Sequence, residues 1–341
     1  MKTIVDLGYG REELSKLYIS TDMSSRLFYG LAQLCDDYSI KHVSLNSKGG
    51  LRSFVINNFR SLIKCDVLYL TYFFPIPLLL LAILKKLGFY RQRKIIVVSH
   101  KSLVRKNILY NAVFDALDKV FFHSMKNLEE SVMAGTISRE RAEFLYWGDD
   151  LDYIDAHYSP TQGGFFLSTG REQRDYPILI HAFSQSEATL ELYTNRVNYS
   201  NNYEFLDAEQ DKYSNIKIVF VDKTIETSRL LAKKTAECLC VVNPLIKDQI
   251  TYCVGLTSIV EAMALGKPVI SSNNPYSPVD IEKEHIGFVV NDEKSWIHAI
   301  NYLHTHRKEA QEMGNRARLL AESKFNIKAC ARQLSCCLES L

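Results

Sequence analysis

What this chain of 341 residues lacks removes several classes of function. Its eight cysteines, Cys35, Cys65, Cys238, Cys240, Cys253, Cys330, Cys336 and Cys337, form no C-x-x-C pair and have no histidine beside them in ligand spacing. That scatter argues against a zinc site or a disulfide framework and points to a reducing compartment. The apolar run Pro75–Leu84 is too short to span a bilayer, and Met1–Gly8 turns polar too soon to be a signal peptide. A cytosolic protein is expected. Net charge is only +2, so nothing global points to nucleic acid. There is no short-period repeat and no low-complexity tract.

The content that remains, 47% hydrophobic, suffices for two α/β cores. In the first half, strands are expected at Thr3–Leu7, His42–Leu45, Asp66–Thr71, Lys94–Ser99, Lys119–His123 and Glu143–Trp147. A polar loop is expected around Gly8–Asp22, with helices near Ser24–Tyr38, Leu51–Ile63, Pro77–Leu87 and Ile108–Leu117. The alternation resumes with strands at Phe165–Ser168, Lys217–Val221, Cys238–Val242, Pro268–Ser271 and Gly287–Val290, and ends in helices near Glu309–Ser323 and Ala329–Leu338. Strands alternating with helices imply parallel sheets covered on both faces, with ligands at the carboxyl ends of the strands. Pro160 and Gly163-Gly164 mark a polar linker, and the boundary is set between residues 1–155 and 156–341.

The most informative stretch is Gly255-Leu256-Thr257-Ser258-Ile259-Val260-Glu261-Ala262-Met263-Ala264-Leu265-Gly266-Lys267-Pro268-Val269-Ile270. It reads as a loop, a helix opened by Thr257 or Ser258 and closed by Gly266, and a buried strand after Pro268. The first turn of such a helix offers unpaired amides and a positive dipole end to a diphosphate, and Glu261 can accept hydrogen bonds from sugar hydroxyls. The same Ser258 and Glu261 also fit a capping box that only satisfies helix-end amides. A second loop, Thr169-Gly170-Arg171-Glu172-Gln173-Arg174-Asp175-Tyr176, carries a glycine that allows close approach and two arginines able to fork onto phosphate oxygens. An arginine paired with Glu172 or Asp175 on a solvated turn is the alternative.

The string GLTSIVEAMALGKPVI closely resembles the donor-binding segment of GT-B glycosyltransferases, in particular the retaining group 1 enzymes, glycosyltransferase family 4, of bacterial polysaccharide synthesis. The resemblance implies two Rossmann-like doubly wound domains facing a cleft, with the final helices returning to the first domain. It covers the second domain and, more loosely, the layout of the first. It further implies that Glu261 holds a nucleotide ribose, that amides around Gly255, Leu256, Thr257 and Ser258 hold the diphosphate, and that Gly170 and Arg171 belong to the diphosphate loop. Arg174 stands in for a lysine that the family has there. His100, at the carboxyl end of the apolar strand before it, matches a histidine that the family often places near the donor sugar, and can act as a base or hydrogen-bond partner. His123 sits similarly and reads as structural or acceptor-lining. The loop Gly8–Glu13 matches the family only weakly.

The implied reaction is transfer of a hexosyl or N-acetylhexosaminyl group from a nucleotide-diphosphate sugar, uridine-linked by preference, to a glycan or lipid-linked oligosaccharide, with retention. Neither a cofactor nor a metal ion is expected, because arginines and amides neutralise the diphosphate. The letters Asp150-x-Asp152 lie at a domain exit, where a structural role is expected. The chain departs from the family's E-x₇-E signature: Cys253 replaces the first glutamate, and a thiol cannot take over a carboxylate's bonds to hydroxyls. Donor recognition through Asp248, Gln249 or the Gly255 amide, or a loss of catalysis, would follow. A GT-B nucleotide-sugar epimerase, using Glu12, Glu13 or Asp22, and a non-catalytic donor-binding subunit are therefore the alternatives.

One asymmetry bears on the acceptor. No acidic residue occurs between Asp66 and Asp115, while Lys85, Lys86, Arg91, Arg93, Lys94, Lys101, Arg105 and Lys106 fall inside that window. With the Pro75–Leu84 run they fit a peripheral contact of the 75–106 region with an anionic leaflet, at the inner face of the plasma membrane. A buried helix with a solvated basic tail fits equally.

Overall fold

The computed structural model describes residues 1–8, 10–20, 23–44, 62–71, 75–88, 93–104, 108–196 and 203–341. The chain forms two compact units, Met1–Trp147 with Ile327–Leu341, and Gly148–Asn326. Each is built on a six-stranded, all-parallel sheet.

In the first unit the strands are β1 (Thr3–Gly8), β2 (Ser39–Ser44), β3 (Val67–Leu70), β4 (Lys94–Ser99), β5 (Lys119–Phe122) and β6 (Ala142–Phe144), in the order β2-β1-β3-β4-β5-β6. Their near-continuous apolar runs, such as Ile95-Ile96-Val97-Val98, are buried on both faces, as a helix-covered parallel sheet requires. Helices α1 (Arg11–Ile19), α2 (Pro75–Lys86), α3 (Ile108–Ala116) and α4 (Met125–Met133) belong to this unit.

Two local expectations fail here. The segment read as a polar loop around Gly8–Asp22 contains α1, which starts after Gly10 in the left-handed region and orders itself through Arg11, whose buried side chain pairs with buried Asp6. Conversely, the helix expected over Ser24–Tyr38 is two short 3₁₀ turns, Ser25–Phe28 and Leu31–Leu34, separated by Tyr29 and Gly30 at φ 51° and 90°. Gly30 is required there. A Cβ at that position would lie 2.8 Å from backbone atoms of Ala331, on the chain's last helix, α12 (Ile327–Ser340). The helix expected near 51–63 falls almost wholly outside the described residues, as do Asp22, Arg91, Arg105 and Lys106.

The second unit contains β7 (Phe165–Thr169), β8 (Thr189–Thr194), β9 (Ile216–Phe220), β10 (Cys240–Asn243), β11 (Val269–Ser272) and β12 (Gly287–Val290), in the order β12-β11-β10-β7-β8-β9. Its helices are α5 (Leu151–His157), α6 (Tyr176–Ser184), α7 (Tyr203–Glu209), α8 (Ile225–Glu237), α9 (Leu256–Ala264), α10 (Glu293–Thr305) and α11 (Arg307–Ser323). Strand β8 went unread in the sequence although Thr189-Leu190-Glu191-Leu192 alternates with the strand period. The strand order reverses between β7 and β10, which marks the crevice outside their carboxyl ends as the place for a ligand.

The division between the units falls after Trp147 rather than after residue 155. The physical reason is α5: Ile154 packs with Ala236, Ala264 and Leu265, and Asp155 receives both Nη atoms of Arg318 at 2.8 and 2.7 Å. Of the two final helices expected to return to the first domain, only α12 is grouped with it. Helix α11 stays in the second unit, where Ala310 joins the core and Arg318 donates to the Ala264 carbonyl at 2.6 Å.

Candidate functional site

Four segments meet at the β7/β10 reversal. Strand β10 ends in Asn243, wholly buried, whose Nδ2 donates to Ser271 Oγ on β11 at 3.0 Å. After it the chain returns through Cys253 and turns into α9 at Gly255, which has φ 84°. Only glycine fits this turn, because it is left-handed and because a Cβ would lie 2.3–2.8 Å from the Asn243 amide group. The helix therefore begins at Leu256, with Gly255 as its cap and no side-chain capping bond.

That arrangement removes the capping-box alternative. Ser258 Oγ lies 3.3 Å from Thr169 Oγ1, at the end of β7, rather than on its own helix amides. Leu256 and Ser258 amides bond to Cys253 O and Gly255 O, both at 3.1 Å, while among the described residues the amide of Thr257, an exposed residue, has no such backbone bond. The nine-residue helix thus presents a donor at its positive end. Glu261 lies one turn deeper, largely buried, and accepts a hydrogen bond from Thr235 Oγ1 of α8 at 3.1 Å.

The arginine loop is stitched to the same place. The Asp175 amide donates to Pro244 O at 3.3 Å and the Ile246 amide to Gln173 O at 2.9 Å, so the loop after β7 is tied to the segment after β10. Gly170, at φ 106°, lets Arg174 pass beneath it: a Cβ there would meet Arg174 Nη2 at 2.4 Å. Arg174 is buried, donates to Glu172 O at 2.7 Å and to Thr169 O at 3.5 Å, and has its pKa lowered by burial. It shapes the loop from below. Arg171, half-buried, is the arginine nearer to solvent.

The tertiary structure thus brings Gly170, Arg171, Arg174, Gly255, Leu256, Thr257, Ser258 and Glu261 together in the second unit. His100 belongs to the first unit, where its Nε2 lies 3.4 Å from both Tyr29 Oη and Thr71 O. Its ring is 5.0 Å from that of His123, which stacks on Tyr29. Of the residues nominated to replace the missing glutamate, Asp248 and Gln249 are exposed in a 3₁₀ turn. Cys253 itself is buried, and burial pushes its thiol up to about 12, so it stands in the site as a small neutral group. Asp150 N-caps α5, accepting from the Tyr153 amide at 3.3 Å, and Asp149 bridges to Asn326.

Three residues that shape these sites were not singled out by sequence reasoning. Asn243 closes an apolar strand just before Pro244, and a polar residue at that strand end is the available signal. Thr235 looks like any mid-helix threonine. Arg11 lies in a loop-like sequence, yet it is buried, pairs with Asp6 at 3.3 Å and bonds to Leu27 O and Thr71 Oγ1.

Comparison with known proteins bears on the fold and on one segment of the second unit. Residues 255–320 match the family model of glycosyl transferases group 1. Among solved structures, HepE of Anabaena in complex with UDP-glucose aligns over 100% of both chains at 16% identity with a TM-score of 0.69. A glycosyltransferase from Rickettsia africae aligns over 99% of this chain and 98% of its own, at 15% identity and TM-score 0.72. The UDP-GlcNAc 2-epimerase of Neisseria meningitidis, bound to UDP-GlcNAc, covers 100% of both chains at 11% identity and TM-score 0.57. No curated protein matches in sequence. The chain is thus built of two Rossmann-like domains as in GT-B glycosyltransferases, and its second domain carries the group 1 segment from Gly255 to Leu320.

Proposed function

We propose that this protein transfers a sugar from a nucleotide-diphosphate sugar, preferentially a UDP-sugar, to a glycan or lipid-linked oligosaccharide during polysaccharide synthesis. The observation that carries this reading is the Gly255 turn, which starts α9 against the end of β7, where Ser258 Oγ lies 3.3 Å from Thr169 Oγ1 next to the Arg171 loop, with Glu261 one turn further along the helix. A diphosphate fits the amide, the helix dipole and Arg171, and a ribose diol fits the Glu261 carboxylate.

In the reaction, the bond between the anomeric carbon and the β-phosphate oxygen breaks, and its electron pair leaves with the nucleoside diphosphate. Arg171, the Thr257 amide and the α9 dipole offset the charge that develops there, which speeds departure of the nucleoside diphosphate. The acceptor hydroxyl bonds to the anomeric carbon from the same face and passes its proton to the departing β-phosphate oxygen, giving retention. Charge neutralisation by these groups requires no metal ion. Acceptor chemistry falls to the first unit, where His100 stands at the carboxyl end of β4. With Cys253 neutral, the donor sugar has no second carboxylate at that position, and the Gly255 amide takes its place as a sugar contact.

Calorimetric titration with UDP tests the donor site. Micromolar binding is expected, weakened about tenfold or more by Glu261→Ala, since a hydrogen bond to a charged group contributes about 1.5–3 kcal/mol. Unchanged binding by the variant refutes the site. Turnover of a labelled UDP-sugar to an isomer without any acceptor refutes transfer and identifies an epimerase.

The lipid-linked reading rests on α2, where Leu80 and Ile83 are exposed, together with exposed Leu87 in the turn that follows it. Lys85 and Lys94 are not part of a free basic cluster, because both pair with Asp118. Equal flotation with anionic and zwitterionic vesicles would refute a membrane contact.

A further inference from the structure

Glu261 is a long side chain whose carboxylate can point in several directions, and fixing it costs rotamer entropy. In this fold that ordering is already done. Thr235, on the neighbouring helix α8, is only 2% exposed, and its hydroxyl lies 3.1 Å from Glu261 Oε1. The same hydroxyl lies 2.9 Å from the Leu231 carbonyl, yet it has one proton to give. Leu231 O is the acceptor for the helical amide four residues on, so its need is met without the hydroxyl. A bond to an ionised carboxylate is the stronger of the two, so the proton goes to Glu261.

Tyr158 and Arg229 lie in the same surroundings. Burial, then Tyr153, raise the Tyr158 pKa, and the charge of Glu261 adds to the rise while Arg229 opposes it. Tyr158 and Arg229 therefore share the electrostatic environment of Glu261, and the phenol stays neutral at physiological pH. Ala262, Met263 and Ala264 are fully buried and pin the helix that carries the glutamate.

We propose that Thr235 is a positioning residue for the donor: its buried hydroxyl holds the Glu261 carboxylate in the orientation that receives the two ribose hydroxyls. This rests on the nucleotide-site reading and deepens it. An ordered carboxylate binds a diol more tightly because its freedom has been removed before the ligand arrives. Threonine suits the task because a β-branched side chain on a helix has few rotamers to lose.

The test compares UDP with 2′,3′-dideoxyuridine diphosphate, which keeps the base and the diphosphate and lacks the diol. Thr235→Val preserves shape and removes the hydroxyl, so Kd for UDP is expected to rise about 3- to 10-fold while Kd for the dideoxy nucleotide stays within about twofold of the unsubstituted protein. Thr235→Ser is expected to restore UDP binding. Should Thr235→Val not fold, Thr235→Ala is read in the same way. Equal weakening towards both nucleotides, or unchanged UDP binding, overturns the positioning role while leaving the donor site standing. Failure of the unsubstituted protein to bind either nucleotide overturns the donor site and this inference together.

Discussion

The Gly255 turn sets the direction of the α9 amides, so Gly255→Ala is the most direct perturbation of the candidate site. Two costs add. A Cβ residue held at φ 84° costs about 1–2 kcal/mol relative to glycine. The new methyl would also stand 2.3–2.8 Å from three atoms of the Asn243 amide, an overpacking worth about 1–3 kcal/mol. Asn243 cannot swing away cheaply, since it is wholly buried and donates to Ser271 Oγ. The sum, about 2–5 kcal/mol, corresponds to a fall in Tm of roughly 4–20 °C for a unit of this size. Scanning calorimetry reads it, and the double variant Gly255→Ala/Asn243→Ala identifies its source. Removing the amide group relieves the overpacking but not the backbone strain, so the double variant should be more stable than the two single losses predict by about 1 kcal/mol or more. An unchanged Tm for Gly255→Ala, or additivity within about 0.5 kcal/mol, would refute the argument that the turn is closed by Asn243.

Two further outcomes are expected. Arg171→Ala should weaken UDP binding about tenfold with Tm nearly unchanged, because the side chain is half-buried at the loop's surface, whereas Arg174→Ala should lower Tm as well, since its buried guanidinium ties Glu172 O and Thr169 O together. Thermal unfolding and titration side by side check this, and the reverse pattern contradicts it. In the first unit, burial and then the charge of His100 hold the His123 pKa well below 6.5. The unfolded chain takes up a proton at about pH 6.5 and the folded one does not, so this group's contribution is present above that pH and lost below it, by up to about 1.4 kcal/mol per pH unit. His123→Phe should therefore shrink the stability loss between pH 7.5 and 5.5 by roughly 1 kcal/mol in urea titrations. An identical loss in both proteins would show that the imidazole is protonated in the fold.

Much of the architecture was legible because it depends on local pattern. Continuous apolar runs such as Ile95–Val98 can only be strands buried on both faces, and the Gly255–Ile270 string carried both the helix and its ligand in one segment. Gly170 and Gly255 were readable as turns because few other residues tolerate positive φ. Where the reading failed, contacts distant in sequence had overridden the local pattern. Helix α1 forms in a polar stretch because Arg11 reaches Asp6, and the expected helix after Ser24 breaks at Tyr29 and Gly30, where α12 comes within van der Waals distance.

Local pattern was enough to specify two parallel α/β units and the chemical kinds at the candidate site: amides at a helix start, arginines after a strand, and one glutamate. Only the tertiary structure decided the roles. It made Arg174 a buried support and left Arg171 nearer the solvent, turned Ser258 towards Thr169 rather than its own helix, buried Cys253 as a neutral thiol and tied Glu261 to Thr235. Residue type fixes what a side chain can donate or accept, whereas burial and partners from distant segments fix what it has left to offer a ligand.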